Sequence, residues 1–180
     1  MHASRQRTIA LVGMRCAGKS VVGRELAQLL GLPFLDLDEL LLEDARHAGE
    51  PAEHAGELLA RVGELRFRGF ESSALRRVLE PCQALVLATG GGTLESAANR
   101  GWLQRAARCV WLRAELATLE RRMLQDKSPR PALLGGHATA ELQELLARRC
   151  QDYASLGEIQ VETEDKTPQE VAREIHGRLD

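Results

Sequence analysis

Eight consecutive residues, Gly13-Met14-Arg15-Cys16-Ala17-Gly18-Lys19-Ser20, constrain this chain more than any others. They read G-x-x-x-x-G-K-S. Ahead of them, Thr8-Ile9-Ala10-Leu11-Val12 is a short apolar, partly β-branched run that fits a buried strand. Behind them, Val21, Val22, Leu26, Leu29 and Leu30 recur at helical spacing. Strand, glycine loop and helix are the context in which this pattern holds phosphate. Backbone N–H groups wrap the anion, and the helix turns its positive N-terminal end towards it. Gly13, Ala17, Gly18, Lys19, Ser20 and Val21 are therefore the candidate nucleotide-binding residues. Lys19 is expected to reach the β- and γ-phosphates of ATP, and the Ser20 hydroxyl to ligate Mg²⁺.

The rest of the composition narrows the partners. A chain of 180 residues is long enough for one domain, 1–180, with a sizeable core. A net charge of −2 gives no electrostatic footprint for nucleic acid, and six aromatic residues are few for stacking single strands. No apolar run approaches the ~20 residues that span a bilayer. The opening residues Met1 to Arg7 are too short and polar for a signal peptide. Four scattered cysteines, with no C-x-x-C pair, argue against zinc or a disulfide framework and for a reducing cytoplasm. Nothing marks a protein-binding stripe, so a monomer is the default expectation.

Further along, the pattern predicts strands at 32–36, 84–88, 108–112 and 159–161. Helices are expected over 19–30, 37–46, 58–79, 94–106, 115–125 and 141–150, with a last one starting at Thr167-Pro168. The 58–79 helix carries an expected interruption at Gly63 or Gly69, after a chain break spanning His47 to Gly56. Thr167 and Glu170 form a capping-box pattern with Pro168 at the first helical position. Strands alternating with helices imply an α/β fold, a parallel sheet covered on both faces. Ligands in such sheets sit at the carboxyl ends of the strands. That rule gathers the loop after Val12, the acids Asp36 and Asp38, the run Thr89-Gly90-Gly91-Gly92 and the polar loop 126–137.

Phosphoryl transfer needs a neutralised donor, a metal, a positioned acceptor and exclusion of water. Asp36 and Asp38 stand at alternate positions after a strand. One can hold a Mg²⁺-bound water and the other an acceptor hydroxyl, or one of them can simply cap the following helix. Gly90, Gly91 and Gly92 make sense where a ligand approaches the main chain closely. Arg130, between Pro129 and Pro131, reads as a stiffly presented arginine on a lid that closes over the nucleotide. Nothing in composition separates Arg68 or Arg149 from a solvated arginine.

Taken in order, the phosphate loop, Phe34-Leu35-Asp36-Leu37-Asp38, Phe67-Arg68-Gly69-Phe70-Glu71, Ala88-Thr89-Gly90-Gly91-Gly92 and Arg130-Pro131 resemble the motifs of shikimate kinases. The likeness runs from about Thr8 to the last helix. It implies a nucleoside monophosphate kinase-like, three-layer α/β/α fold with a five-stranded parallel sheet in the order 2-3-1-4-5. It further implies a substrate-binding segment at about 37–70 and a lid at about 126–138. The implied activity is ATP-dependent phosphorylation of the shikimate 3-hydroxyl, a step towards chorismate and the aromatic amino acids.

Roles follow from the resemblance. Asp36 orients the Mg²⁺ that Ser20 ligates. Asp38 binds ring hydroxyls and serves as base. Arg68 and Arg149 hold the shikimate carboxylate, a planar anion suited to a guanidinium fork. Glu71 holds Arg68, Gly90 to Gly92 pack on the ring, and Arg130 is the lid arginine. Arg122 and Pro168 sandwich the adenine. Three places depart from the family pattern. Cys16 stands where a further glycine is usual. The stretch between Asp38 and Arg68 is several residues longer, and Asp126-Lys127-Ser128-Pro129 precedes the lid. A side chain at Cys16 crowds the nucleotide or points away, and a thiol there is a candidate reactive group. The rival readings are a kinase of the same fold for gluconate or a nucleoside monophosphate, and a ligand-sensing module without turnover.

Overall fold

β1 (Thr8–Val12) is buried along its whole length. Successive side chains of a strand point to opposite faces, so a strand buried at every position lies in a sheet covered on both sides. The computed structural model describes residues 7–125 and 138–179. Within them β1 is the middle strand of five, joined by β2 (Phe34–Asp36), β3 (Val86–Ala88), β4 (Ala107–Arg113) and β5 (Ile159–Glu162). All pairs are parallel and the order is β2-β3-β1-β4-β5, as expected. The register sets Asp36 beside Ala88 and Val12 beside Trp111, so the carboxyl ends of the strands share one edge.

The helices are α1 (Lys19–Leu30), α2 (Leu37–His47), α3 (Ala55–Val62), α4 (Glu64–Leu79), α5 (Ala97–Ala106), α6 (Leu116–Gln125), α7 (Ala138–Leu156) and α8 (Pro168–His176). α1 packs on α8, α4 on α5 and α2, and both α5 and α7 lie against β4. The capping box expected at Thr167 and Glu170 is present, with Pro168 opening α8. No helix among the described residues is long and apolar enough to cross a membrane.

Several boundaries differ from expectation for local reasons. β2 begins at Phe34 rather than Leu32, because the Leu32 N–H turns back to the Ala27 carbonyl at 3.0 Å to close α1. The expected 58–79 helix is two helices, and its break lies at Gly63, not Gly69. α3 also starts earlier, at Ala55, because the His54 ring nitrogen accepts from the Glu57 N–H at 3.0 Å and caps it. The expected 94–106 helix is a 3₁₀ turn, Thr93–Glu95, followed by α5, with Ser96 as the cap between them. α7 runs past Cys150 to Leu156, because Tyr153 and Leu156 bury its last turn.

Two backbone conformations generate predictions. Gly63 has φ 78° and ψ 164°, a combination open essentially to glycine, with no neighbouring atom within 4 Å of where a Cβ would stand. Gly63→Ala therefore meets strain without a clash, and urea unfolding is expected to show a loss of about 1–3 kcal/mol. Cys16 has φ 63°, left-handed backbone, which explains why glycine suits this loop position. Such a conformation costs an ordinary residue about 1–2 kcal/mol, against about 0.5–1 kcal/mol for the extra chain entropy of glycine. Cys16→Gly is expected to stabilise the protein by roughly 0.5–1 kcal/mol in the same measurement; a loss of stability would mean that thiol packing outweighs backbone strain.

Candidate active site

The phosphate loop links β1 to α1. Gly18, at φ 93°, is the residue before the first turn of α1. Lys19 is 8% exposed and folds back over its own loop, its Nζ donating to the Gly13 carbonyl at 2.9 Å and the Met14 carbonyl at 2.8 Å. The Ser20 hydroxyl donates to Asp36 Oδ2 at 2.5 Å. Asp36 Oδ1 accepts from the Asp38 N–H at 3.0 Å and caps α2. The capping reading is thus met by Asp36, whose other oxygen lies on the loop serine. Ser20 and Asp36 present hard oxygen donors side by side, a donor set that fits Mg²⁺. Among the described residues no group of three or more His, Cys, Asp or Glu could hold a metal ion.

A second pocket opens beside the loop. Asp38, Arg68, Glu71, Gly90 to Gly92 and Arg149 all line it, along with Arg15, Gly56, Leu59 and Phe67. The three glycines are required by what stands against them. A Cβ on Gly90 would lie 2.8 Å from Glu71 Oε1 and 3.1 Å from Asp38 Oδ1. One on Gly91 would lie 3.1 Å from the Arg15 backbone nitrogen, and one on Gly92 2.7 Å from Arg68 Nη1. Charged groups thus close onto bare backbone. Glu71, 1% exposed, accepts from Arg68 Nη1 at 2.9 Å and from the Thr93 hydroxyl at 2.7 Å. Its grip on Arg68 is the one expected. Arg149, 4% exposed, reaches the same pocket from α7.

Three residues in or against this pocket carried no sequence signal: Glu95, Tyr153 and Arg15. Glu95 accepts from Arg68 Nη2 at 2.8 Å, from Arg149 Nε at 3.1 Å and from Arg148 Nη2. Burial pushes its carboxyl up, but hydrogen bonds from Arg149 and Arg148 outweigh that and hold it below the usual range. The Tyr153 hydroxyl donates to the Gly91 carbonyl, and burial, above all, raises the phenol pKa. Arg15 touches the Met123 thioether at 2.7 Å, and its Nε is buried with no partner among the described residues. It brings a third guanidinium to the pocket. Glu95 and Tyr153 are isolated polar residues in no motif, and Arg15 fills a position that the phosphate-loop pattern leaves open.

A further cavity lies across the loop. Arg122 and Pro168 line one cavity with Cys16, Ala17, Gly18 and Val21, which brings the expected pair together. Arg122 donates to the Thr163 carbonyl at 2.7 Å and to its hydroxyl at 3.0 Å, which fixes the guanidinium. Thr163 and Lys166 also line this cavity and were not anticipated. Their position just after β5, at the ligand-binding edge of the sheet, was the available signal. Arg130 and the expected lid up to 137 lie outside the described residues.

The family model for shikimate kinase matches residues 15–180. A shikimate kinase of Caulobacter vibrioides is 42% identical over 179 residues, covering 94% of this chain and 80% of that protein. One of Pseudomonas savastanoi pv. phaseolicola is 36% identical over 183 residues, covering 96% of each. The solved structure of shikimate kinase from Acinetobacter baumannii in complex with shikimate superposes with a TM-score of 0.85 at 34% identity, covering 96% of this chain and 92% of that one. A phosphate loop, a carboxylate–serine pair beside it and an arginine-lined pocket thus come with extended similarity in sequence and fold, and the chain belongs to the shikimate kinase family.

Proposed function

We propose that this protein transfers the γ-phosphoryl group of ATP to the 3-hydroxyl of shikimate, giving shikimate 3-phosphate and ADP, a step towards chorismate. One observation carries the reading beyond its family. Asp38, Arg68 and Arg149, from three separate elements, line one pocket directly beside the phosphate loop. A small hydroxylated carboxylic acid is the ligand that uses a carboxylate and two guanidinium groups together.

The residues divide the work. Lys19 exchanges the Gly13 and Met14 carbonyls for the β- and γ-phosphates, while Gly13, Ala17, Gly18 and Val21 enclose the nucleotide. Ser20 and Asp36 hold Mg²⁺, which when bound neutralises phosphate charge. Asp38 accepts a hydrogen bond from the reacting hydroxyl and takes its proton as the oxygen attacks. Arg68, kept in place by Glu71, and Arg149 fix the carboxylate, and the ring rests on Gly90, Gly91 and Gly92. Arg122 and Pro168 flank the adenine. Arg130 approaches from the lid at about 126–138, which excludes water, and residues 37–70 form the substrate-binding segment. Of the longer stretch between Asp38 and Arg68, Gly56 and Leu59 line the acceptor pocket itself. The reading includes a cytoplasmic monomer without nucleic-acid or membrane partners, in keeping with a net charge of −2.

ADP release from Mg²⁺ATP, measured with shikimate, gluconate and AMP as acceptors, tests the reaction. Turnover with shikimate alone is expected, and turnover with gluconate or AMP instead would replace this reading by another kinase activity. Asp38→Asn is expected to lower kcat about 10²-fold, the loss typical of a general base. A change confined to KM would make Asp38 a binding group only. Arg149→Ala is expected to raise the shikimate KM about 10- to 100-fold, since hydrogen bonds to charged groups contribute about 1.5–3 kcal/mol.

A further inference from the structure

Glu95 is an anion beside a pocket that, on the reading above, must attract an anion. It ends the 3₁₀ turn that follows the three glycines, and its side chain is partly exposed. Its Oε2 engages Arg68 and its Oε1 engages Arg149 and Arg148. Arg68 and Arg149 line the acceptor pocket, whereas Glu95 does not. The carboxylate therefore grips both guanidinium groups from outside.

The donors it uses show what remains for a ligand. Arg149 gives Glu95 its Nε, while its Nη1 stands 3.7 Å from where a Gly91 Cβ would be. The Nη end of that guanidinium is thus turned to the glycine wall of the pocket. Arg68 divides its Nη groups between Glu71 and Glu95. A guanidinium is planar, so fixing one edge fixes the direction of the others. We propose that Glu95 is a positioning residue for the acceptor carboxylate, a clamp that holds Arg68 and Arg149 in the orientation in which both face it. The inference rests on Arg68 and Arg149 being the carboxylate ligands.

Two effects of opposite sign compete. A negative charge near the site repels the acceptor, while a clamp removes the rotamer freedom that binding would otherwise have to quench. Three guanidinium groups face Glu95, and Glu71 and Glu64 also pair with Arg68, at 2.9 Å and 3.9 Å, so the charges of the cluster are largely balanced and orientation is what the clamp contributes. Each flexible arginine carries ~2 kcal/mol of rotamer entropy, and the clamp acts by sparing the acceptor that cost.

Steady-state kinetics on the full chain decide the matter. Glu95→Ala is expected to raise the shikimate KM about tenfold, within the usual range for directly coupled side chains. The ATP KM and kcat should stay near their wild-type values. In an Arg149→Ala background the same change should cost clearly less, because its effect passes through that guanidinium. Glu95→Gln, close in shape, keeps the fold and should shift the shikimate KM in the same direction by a smaller factor. An unchanged or lower shikimate KM in both variants would overturn the clamp, as would full additivity with Arg149→Ala or an equal loss in ATP KM and kcat. Wild-type turnover and the Arg149→Ala single variant report separately on the acceptor site. An unchanged shikimate KM there would place the failure in that reading.

Discussion

The site depends on a buried carboxylate. Glu71 is almost wholly removed from water, where an ionised acid is costly unless its oxygens are bonded and its charge is paired. Thr93 bonds one oxygen and Arg68 pairs with the other. The Arg68 pair lies within α4, and the Thr93 bond ties that helix to the turn after β3. Through Glu95 the chain of charges continues to Arg149 on α7. Three segments distant in sequence are held together by polar contacts that apolar packing alone would not specify. Removing one partner from such a pair strands the other, typically at a cost of about 3–5 kcal/mol. The glycines belong to the same constraint, because a side chain at Gly90 or Gly92 would collide with Glu71 or Arg68.

The strand order divides the chemistry around β1. On the side of β2 and β3 lie Asp36, Asp38 and Gly90 to Gly92, to which the proposed reading gives metal and acceptor. On the side of β4 and β5 lie Arg122, Thr163 and Pro168, which line the cavity proposed for the adenine. The phosphate loop springs from the strand between them. A parallel sheet places ligands beyond the carboxyl ends of its strands, where the order reverses. The two cavities thus flank one loop, and Lys19 and Ser20 stand between the sites proposed for donor and acceptor.

What could be read in the sequence was local or periodic. The strand–loop–helix around Gly18, the capping box at Thr167 and the alternation of strands and helices are carried by neighbouring residues, and the structure keeps them. Asp36 and Asp38 could be marked as a pair, with a helix cap as one reading, but the bond from Ser20 could not be read. That depends on β2 pairing with β3, which is a long-range fact. Arg68 and Arg149 were visible only through resemblance, since an arginine acquires meaning from what it faces. Glu95, Arg15 and Tyr153 were missed for the same reason. Gly63 and Gly69 both offered a helix break, and only backbone dihedrals distinguish them. The left-handed turn at Cys16 was hidden because the side chain there is not the one that its conformation favours.

The fate of the γ-phosphoryl group tests the account most directly. Phosphorus NMR of the wild-type protein turning over Mg²⁺ATP and shikimate would follow it. The account predicts a phosphomonoester on the 3-hydroxyl, formed in step with ADP and with little orthophosphate. Orthophosphate as the main phosphorus product, with shikimate recovered unchanged, would contradict it.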